Sequence, residues 1–223
     1  MKSKTSEDRF ATLIKFLILF LLPLVYENIG MNFGGPLGVR YHYAEFFRPK
    51  VFGLPMLVWI FWVIFIFTGY GLTNCIIKNI LREKYLQFIS KKLNILFAVV
   101  LDGFIVTTFD LFIDPVAVRF GLWSWENVNN GYFGVPFGNF IGWFVIVSTT
   151  TLLLRFVDKF YSSKLDNRLI NLSPYVYILL LSVFFISSVV FYSIELALSS
   201  LLFSSVIVAF SLYLFSKSNF DKL

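Results

Sequence analysis

The chain has 223 residues, of which 58% are hydrophobic, 20% aromatic and only 14% charged, whereas roughly 25% of the residues in a soluble domain are charged. This composition excludes an ordinary soluble domain. A single cysteine, Cys75, excludes an internal disulfide, and a single histidine, His42, excludes a metal site built on several imidazoles. The net charge is +6, but no basic segment is long enough to form a nucleic-acid-binding face. We therefore expect a membrane protein with neither a metal nor a nucleic-acid partner.

Six apolar stretches follow one another along the chain, and each is about long enough to cross roughly 30 Å of hydrocarbon as a helix. They are 11–26, 54–73, 93–113, 137–154, 174–194 and 196–215. We predict an all-α polytopic bundle of about six transmembrane helices that uses residues 1–223 as one domain, with 174–216 as a C-terminal helical hairpin. A cleaved signal peptide is the alternative interpretation of the first stretch, but no small-residue cleavage site follows it.

The Lys and Arg residues are distributed unevenly between the connections. Fourteen lie in the N-terminal tail, the connections after the second and fourth stretches, and the C terminus, whereas four lie in the other connections. Cytoplasmic loops of membrane proteins carry the excess of basic residues. We therefore expect a multi-pass protein of the cell membrane with both termini in the cytoplasm, and we interpret the basic segment 155–173 as a solvated linker.

Two connections on the predicted outer side are dense in Gly, Pro and aromatic residues. They run over 27–53 and 114–136. Irregular backbone at membrane depth is tolerated where protein buries it or a cavity receives it, so we expect two re-entrant or interfacial loops. An aromatic belt that only anchors the protein at the lipid headgroups is the alternative.

These two loops also carry a weak internal repeat, in which an aromatic-x-aromatic triplet is followed by Gly-apolar-Pro and then by a span that opens with Trp. The matching pieces are 41–43 and 123–125, 53–55 and 134–136, and Trp59 and Trp62 in one span with Trp143 in the other. Such a repeat predicts that the first two spans and the next two are parallel copies related by an axis along the membrane normal. Coincidence is the alternative.

Carboxylates inside apolar spans are costly unless they face the bundle interior or a cavity. Asp102 lies near the predicted midplane of the third span. Asp110 and Asp114, four residues apart, share one helix face near its outer end, and Glu27 ends the first span on the same side. The alternative is that these acids only form ion pairs with the arginines of the outer loops, Arg40, Arg48 and Arg119.

This cluster of acids suits proton donation to an apolar substrate. A neutral carboxylic acid in a dry pocket can protonate an isolated alkene, aromatic faces can stabilise the resulting tertiary cation, and an ionised carboxylate can activate water. We expect Asp110, one turn deeper, to donate the proton, and Asp114 or Glu27 to activate the water. The residues expected to bind the substrate are Tyr41, Tyr43, Trp123, Trp125, Glu126, Tyr132 and Asn139.

Four segments of the chain resemble a known family. They are 27–30 with 34–43, 52–55, 110–115, and 123–125 with 131–143. Over roughly residues 23–150 the chain resembles the carotenoid biosynthesis membrane proteins that include carotenoid 1,2-hydratases and bisanhydrobacterioruberin hydratase. The resemblance implies addition of water, without a cofactor, across the terminal C1–C2 double bond of an acyclic carotenoid. It also implies a carotenoid or other long isoprenoid lipid as substrate, in the bilayer, with other carotenoid-pathway membrane enzymes as candidate partners.

A membrane prenyltransferase is an alternative enzyme class, because two aspartates with the spacing of Asp110 and Asp114 can hold Mg²⁺ and the diphosphate group of a prenyl substrate. That chemistry normally needs a second acid-rich motif to neutralise the diphosphate. The nearest candidates, Asp158 and Asp166, lie eight residues apart in the basic linker. This arrangement disfavours the prenyltransferase.

A transporter or proton-coupled channel is the non-enzyme alternative, motivated by Asp102 and by the repeat. Against it, the acids crowd one interface and do not form a relay through the membrane. A purely structural or lipid-binding role is a further alternative.

Overall fold

A computed structural model of the chain describes residues 6–34, 39–79, 91–126, 131–161 and 167–220. Six helices lie in these ranges: α1 (Ser6–Phe33), α2 (Met56–Asn79), α3 (Lys91–Arg119), α4 (Phe137–Tyr161), α5 (Asn167–Phe191) and α6 (Ile194–Phe220). All six are long and apolar enough to cross a membrane. The predicted all-α polytopic membrane bundle is confirmed.

Several helices continue well past the apolar stretches from which they were predicted, and two of these extensions carry candidate site residues. Helix α1 runs to Phe33 and α3 runs to Arg119, so Glu27 and Asp114 lie inside helices. The loops predicted over 27–53 and 114–136 therefore begin later than expected, and their residues 35–38 and 127–130 lie outside the described ranges. The hydropathy pattern predicted helix ends that are too early, because it treats the polar side chains of Glu27 and Asp114 as solvent-exposed, whereas neighbouring elements bury them.

Helix α3 also continues through Pro115, which cannot donate a hydrogen bond to the carbonyl oxygen of Leu111 one turn earlier. The hydroxyl group of Ser200 on α6 donates to that oxygen over 2.9 Å. Tyr132 shares a 2.8 Å hydrogen bond with the same hydroxyl group. A neighbouring helix thus replaces the missing donor, which lets α3 extend to carry Asp114.

Four short strands, which the sequence analysis did not predict, lie in the two long connections: β1 (Tyr41–Tyr43), β2 (Lys50–Val51), β3 (Leu54–Pro55) and β4 (Trp123–Trp125). Strand β1 pairs antiparallel with β4, and β2 pairs antiparallel with β3. The β1–β4 pair joins the two connections directly. We call this end of the bundle the strand end and the opposite end, where α1 begins and α6 ends, the terminal end.

The register between β1 and β4 has the symmetry that the internal repeat predicts. His42 pairs with Ser124, and a two-fold axis through this pair would exchange the two strands. Trp62 and Trp143 are each the seventh residue after the proline of the repeat, and their ring centroids are 4.4 Å apart. The same two-fold axis would exchange the contact between α1 and α4 with the contact between α3 and α2, and both contacts are present. These observations support the repeat.

Aromatic side chains fill the middle of the bundle. The ring centroid of Phe65 on α2 lies 5.1 Å from that of Phe109 on α3 and 5.8 Å from that of Phe184 on α5. Helices α2 and α3 approach closely, since a Cβ atom on Gly69 would lie 2.5 Å from Val106. This packing separates the strand end from the terminal end.

A buried ion-pair network lies on the terminal side of the aromatic layer. Asp102 is fully buried and accepts hydrogen bonds from Arg155 at 2.7 and 2.9 Å. The guanidinium carbon of Arg155 lies 4.4 Å from the ring centroid of Tyr70, whose hydroxyl group donates to Asp158. Lys15 also binds Asp158 at 2.5 Å.

This network corrects the interpretation of 155–173 as a solvated linker. Helix α4 continues to Tyr161, and both Arg155 and Asp158 point into the bundle, where Asp102 and Lys15 neutralise them. The pairing of helix-borne charges across three helices is not visible in a hydropathy profile. Residues 162–166 lie outside the described ranges.

Candidate active site

Glu27 on α1 is buried at the strand end and accepts hydrogen bonds from three aromatic side chains. Trp62 Nε1 donates to Oε1 over 2.7 Å, and Tyr43 donates to Oε2 over 3.0 Å. The hydroxyl group of Tyr41 also donates to Oε2. Gly30, one turn later, makes room for this contact, because a Cβ atom there would lie 2.8 Å from the Tyr41 ring. The surroundings of Glu27 therefore match an ionised carboxylate, which only accepts hydrogen bonds.

The alternation of strand β1 decides which side chains reach Glu27. Successive residues of a strand point to opposite faces, so Tyr41 and Tyr43 face the bundle while His42 faces away. His42 Nε2 instead lies 2.7 Å from an oxygen of Glu126, and both side chains are well exposed. Glu126, which the sequence analysis grouped with the substrate-binding residues, thus lies on the outer face of the strand pair.

Burial, followed by the nearby charge of Glu27, raises the pKa of Tyr41 and of Tyr43 well above the ordinary value for a phenol. Both hydroxyl groups stay protonated at neutral pH. They can therefore serve only as donors to the carboxylate, a role that the two hydrogen bonds already show.

Asp110 and Asp114 on α3 are held together by one amide. Asn139, in the first turn of α4, donates from Nδ2 to Asp110 Oδ2 over 2.8 Å and to Asp114 Oδ2 over 2.6 Å. Both aspartates are buried, and their carboxyl groups also interact with each other. We call these two residues the aspartate pair.

No basic side chain within the described ranges lies at salt-bridge distance from Glu27 or from the aspartate pair. Arg48 instead binds Glu45, and Arg119 donates to the carbonyl oxygen of Tyr192. The described contacts therefore do not support the alternative in which these acids form structural ion pairs.

A cavity of about 430 Å³, which we call the main cavity, lies between the helices at the strand end. Glu27, Asp114 and Asn139 line it, whereas Asp110 does not. Its aromatic wall comprises Tyr41, Tyr43, Phe47, Phe61, Trp62, Phe65, Phe112, Phe120, Trp123, Trp125, Trp143 and Phe184. The four aromatics of the β1–β4 pair are thus part of this wall.

The structure thus separates the residues that the sequence analysis grouped together. Glu27, Asp114, Asn139 and the four strand aromatics meet in the main cavity, and Asp110 contacts the site through Asn139. Tyr132 instead binds Ser200, and it lines neither this cavity nor the smaller one beside it.

Sequence analysis missed Trp62 and Trp143 as site residues. Both line the main cavity, and Trp62 also binds Glu27. A signal was present, because each Trp marks the start of a span in the repeat, but nothing in the sequence showed that the two spans bring these side chains together.

Metal ligation finds little support within the described ranges, where His, Cys, Asp and Glu form no group of three suited to a metal ion. Asp158, the candidate for the second acid motif that a prenyltransferase would need, already binds Lys15 and Tyr70. Asp166 lies outside the described residues.

The fold and the cavity together define a multi-pass membrane protein with an aromatic pocket that holds buried carboxyl groups. The family model of carotenoid biosynthesis proteins matches residues 6–210, and the chain belongs to this family. No curated protein and no solved structure matches the chain. Its role is therefore in carotenoid biosynthesis, within a lipid bilayer and with an isoprenoid substrate.

Proposed function

We propose that this protein adds water across the terminal C1–C2 double bond of an acyclic carotenoid without a cofactor. The observation that carries the proposal is that Glu27 and Asp114, both buried and neither in a described ion pair, line one aromatic cavity. Hydration of an isolated alkene needs an acid that protonates the double bond and a base that activates the attacking water. The aspartate pair and Glu27 supply these two groups.

The aspartate pair is the acid in this proposal. Two carboxylates this close repel each other when both are ionised, so a close pair tends to share one proton. Asp114 faces the cavity and delivers that proton to C2, which forms the new C–H bond and leaves a tertiary cation at C1. The sequence analysis gave the donor role to Asp110; the cavity lining favours Asp114 as the group that meets the alkene, with Asp110 positioning it.

Aromatic faces stabilise the cation that this step creates. Trp123 and Trp125 line the cavity beside Tyr41 and Tyr43, and a desolvated aromatic face can contribute up to about 2 kcal/mol to a nearby cation. The ionised carboxylate of Glu27 adds a fixed negative charge on the same cavity. These groups lower the energy of the cation without forming a covalent bond to it.

Glu27 completes the addition as the base. A water oxygen bonds to C1, and one water proton passes to Glu27 while its hydrogen-bond donors hold the carboxylate in place. A proton then returns from Glu27 to the aspartate pair, so that the site is restored and only water has been consumed. No oxidant, reductant or cofactor is required by this balance.

The main cavity suits the end of a carotenoid better than the whole molecule. Its volume of about 430 Å³ lies in the range of small-molecule sites, roughly 300–1,000 Å³. Leu57 and Phe120 line the cavity and are also 45% and 52% exposed, which marks an opening toward lipid. The polyene chain would lie in the bilayer while its end group reaches Asp114.

The orientation of the chain belongs to the same proposal. The protein lies in the cell membrane with both termini in the cytoplasm, so the strand end and its cavity lie at the outer face of the membrane. Residues 1–223 act as one domain. Other membrane enzymes of the carotenoid pathway are the candidate partners for substrate transfer within the bilayer.

A pigment comparison tests the proposed function. Carotenoids are extracted from cells that make an acyclic carotenoid with the wild-type protein, with Asp114→Asn, or with neither. We expect a shift to more polar, hydroxylated pigment with the wild-type protein alone. Unchanged pigment in all three, with the protein present in the membrane, would contradict the hydratase and favour a transport or structural role.

A further inference from the structure

A second, smaller cavity, the side cavity, lies between α1 and α4 next to the main cavity. Its volume is about 70 Å³. Gly30 on α1 and Gly138 and Gly142 on α4 line it, and Val39 and Pro136 lie at the same cavity near the strand end. The absence of side chains on the glycines leaves this space open between the two helices.

The two cavities share one wall. The residues that line both are Glu27, Tyr41, Trp62, Trp125, Asn139 and Trp143. The proposed base, Glu27, therefore touches both spaces, as does Asn139, which holds the aspartate pair. We call this set of residues the shared wall.

The side cavity has the size and the chemistry of a water site. A cavity needs roughly 10–15 Å³ of probe-occupied volume for each water and two to four polar partners, so about 70 Å³ holds a few waters but no carotenoid end group. The polar partners are the carboxylate of Glu27, the hydroxyl of Tyr41 and the amide of Asn139. These three groups also line the main cavity, so what distinguishes the side cavity is its size, which admits water and excludes the end group.

We propose that the side cavity binds the attacking water and delivers it past Glu27 to C1; this inference rests on the proposed function. The water oxygen bonds to C1, and its proton passes to Glu27 on the shared wall. A separate water site keeps the main cavity dry while the alkene is protonated, because bulk water there would weaken the acid and quench the cation. It also fixes the face of the cation that water attacks.

Gly142 offers a direct way to fill the side cavity. An added Cβ atom at this position meets nothing within 4 Å, and Gly in a helix interior is less stable than Ala by about 1 kcal/mol. The series Gly142→Ala, Gly142→Val and Gly142→Leu therefore fills the cavity in steps with no clash at the first atom. The control is Ser205→Leu, which adds a similar side chain on an exposed face of α6.

Two readouts in D₂O separate water delivery from protonation. The first is the yield of hydrated carotenoid. The second is deuterium in the recovered alkene: when the aspartate pair adds a deuteron to C2 and no water arrives, the other hydrogen on C2 passes as a proton to the carboxylate of Glu27, which re-forms the double bond with deuterium at C2. Pigment absorbance retained by the purified protein reports folding and substrate binding.

We expect hydration to fall along the series, reaching roughly tenfold to a hundredfold in Gly142→Leu, the cost of misplacing a reactant, while deuterium exchange and pigment binding persist. Hydration by Gly142→Leu at the wild-type rate would overturn the water site. A loss of deuterium exchange equal to the loss of hydration in Gly142→Ala and Gly142→Val would also overturn it. A wild-type protein that neither hydrates nor exchanges would contradict the proposed function itself, which is a distinct outcome.

Discussion

Trp62 donates its indole N–H to the carboxylate of Glu27 over 2.7 Å. The same Trp ring lies against Trp143, its counterpart in the internal repeat. Trp62 thus takes part both in the contact between the two halves of the repeat and in the hydrogen bond that holds the proposed base.

The hydrogen bond from Trp62 should matter more than its aromatic ring. Trp62→Phe keeps an apolar ring but removes one donor to a buried carboxylate, which is worth roughly 1.5–3 kcal/mol, so we expect hydration to fall about tenfold to a hundredfold. Trp59→Phe is the matched control, since the Trp59 N–H is buried without a hydrogen-bond partner among the described residues. Equal losses in the two variants, measured as pigment conversion, would argue against a special role for Trp62.

Loss of the shared proton should slow turnover strongly. Asp114→Asn and Asp110→Asn each keep the side-chain shape but remove one carboxyl group of the pair. We expect each to lower conversion roughly a hundredfold or more, because general acid catalysis contributes about that much. Conversion is measured in membranes that contain equal amounts of folded protein. Near-normal conversion by Asp110→Asn would show that Asp114 holds its proton without the pair.

The ion pair at the terminal end should act on stability. Asp102→Asn leaves the buried guanidinium of Arg155 without its carboxylate, and breaking a buried pair in this way costs roughly 3–5 kcal/mol. Thermal unfolding in detergent should therefore shift down for Asp102→Asn and recover in part when Arg155→Met is added. A double variant no more stable than Asp102→Asn alone would contradict this account of the network.

Tyr41 and Tyr43 should resist ionisation. Their pKa values are raised well above the usual value of about 10, so their stabilising effect is full below about pH 10 and is lost as the pH rises through their folded pKa values. Ultraviolet titration should show that Tyr43→Phe has one tyrosine fewer than the wild-type protein among those that ionise only at higher pH or on unfolding. An unchanged titration in Tyr43→Phe would mean that this hydroxyl group is not buried against Glu27.

Membrane orientation can be tested at the strand end. Glu45 has a side chain that is 83% exposed, so Glu45→Cys in a Cys75→Ala background should react with an impermeant thiol reagent added to intact cells. Glu7→Cys, near the start of α1, should react only after the membrane is opened. The reverse pattern would place both termini outside.

The helices could be predicted because each needs a long apolar run, and Glu27 and Asp114 because carboxylates are rare in or beside such runs. The strand aromatics could be predicted because the two loops repeat an aromatic-x-aromatic triplet. Sequence reasoning placed the end of α1 before Glu27 because hydropathy cannot register burial by a neighbour. It also left Arg155 in a linker, since pairing with Asp102 depends on how α3 and α4 pack. The opposite faces of β1, which separate His42 from Tyr41, needed the strand register.

Oxygen-18 water tests the central claim most directly. Membranes that contain the wild-type protein and an acyclic carotenoid are incubated in H₂¹⁸O, and the extracted pigment is analysed by mass spectrometry, with Glu27→Gln as the parallel sample. The account predicts a pigment heavier by one molecule of labelled water with the wild-type protein, and at most a trace with Glu27→Gln. Product that carries no ¹⁸O, or full labelling by Glu27→Gln, would contradict hydration at this site.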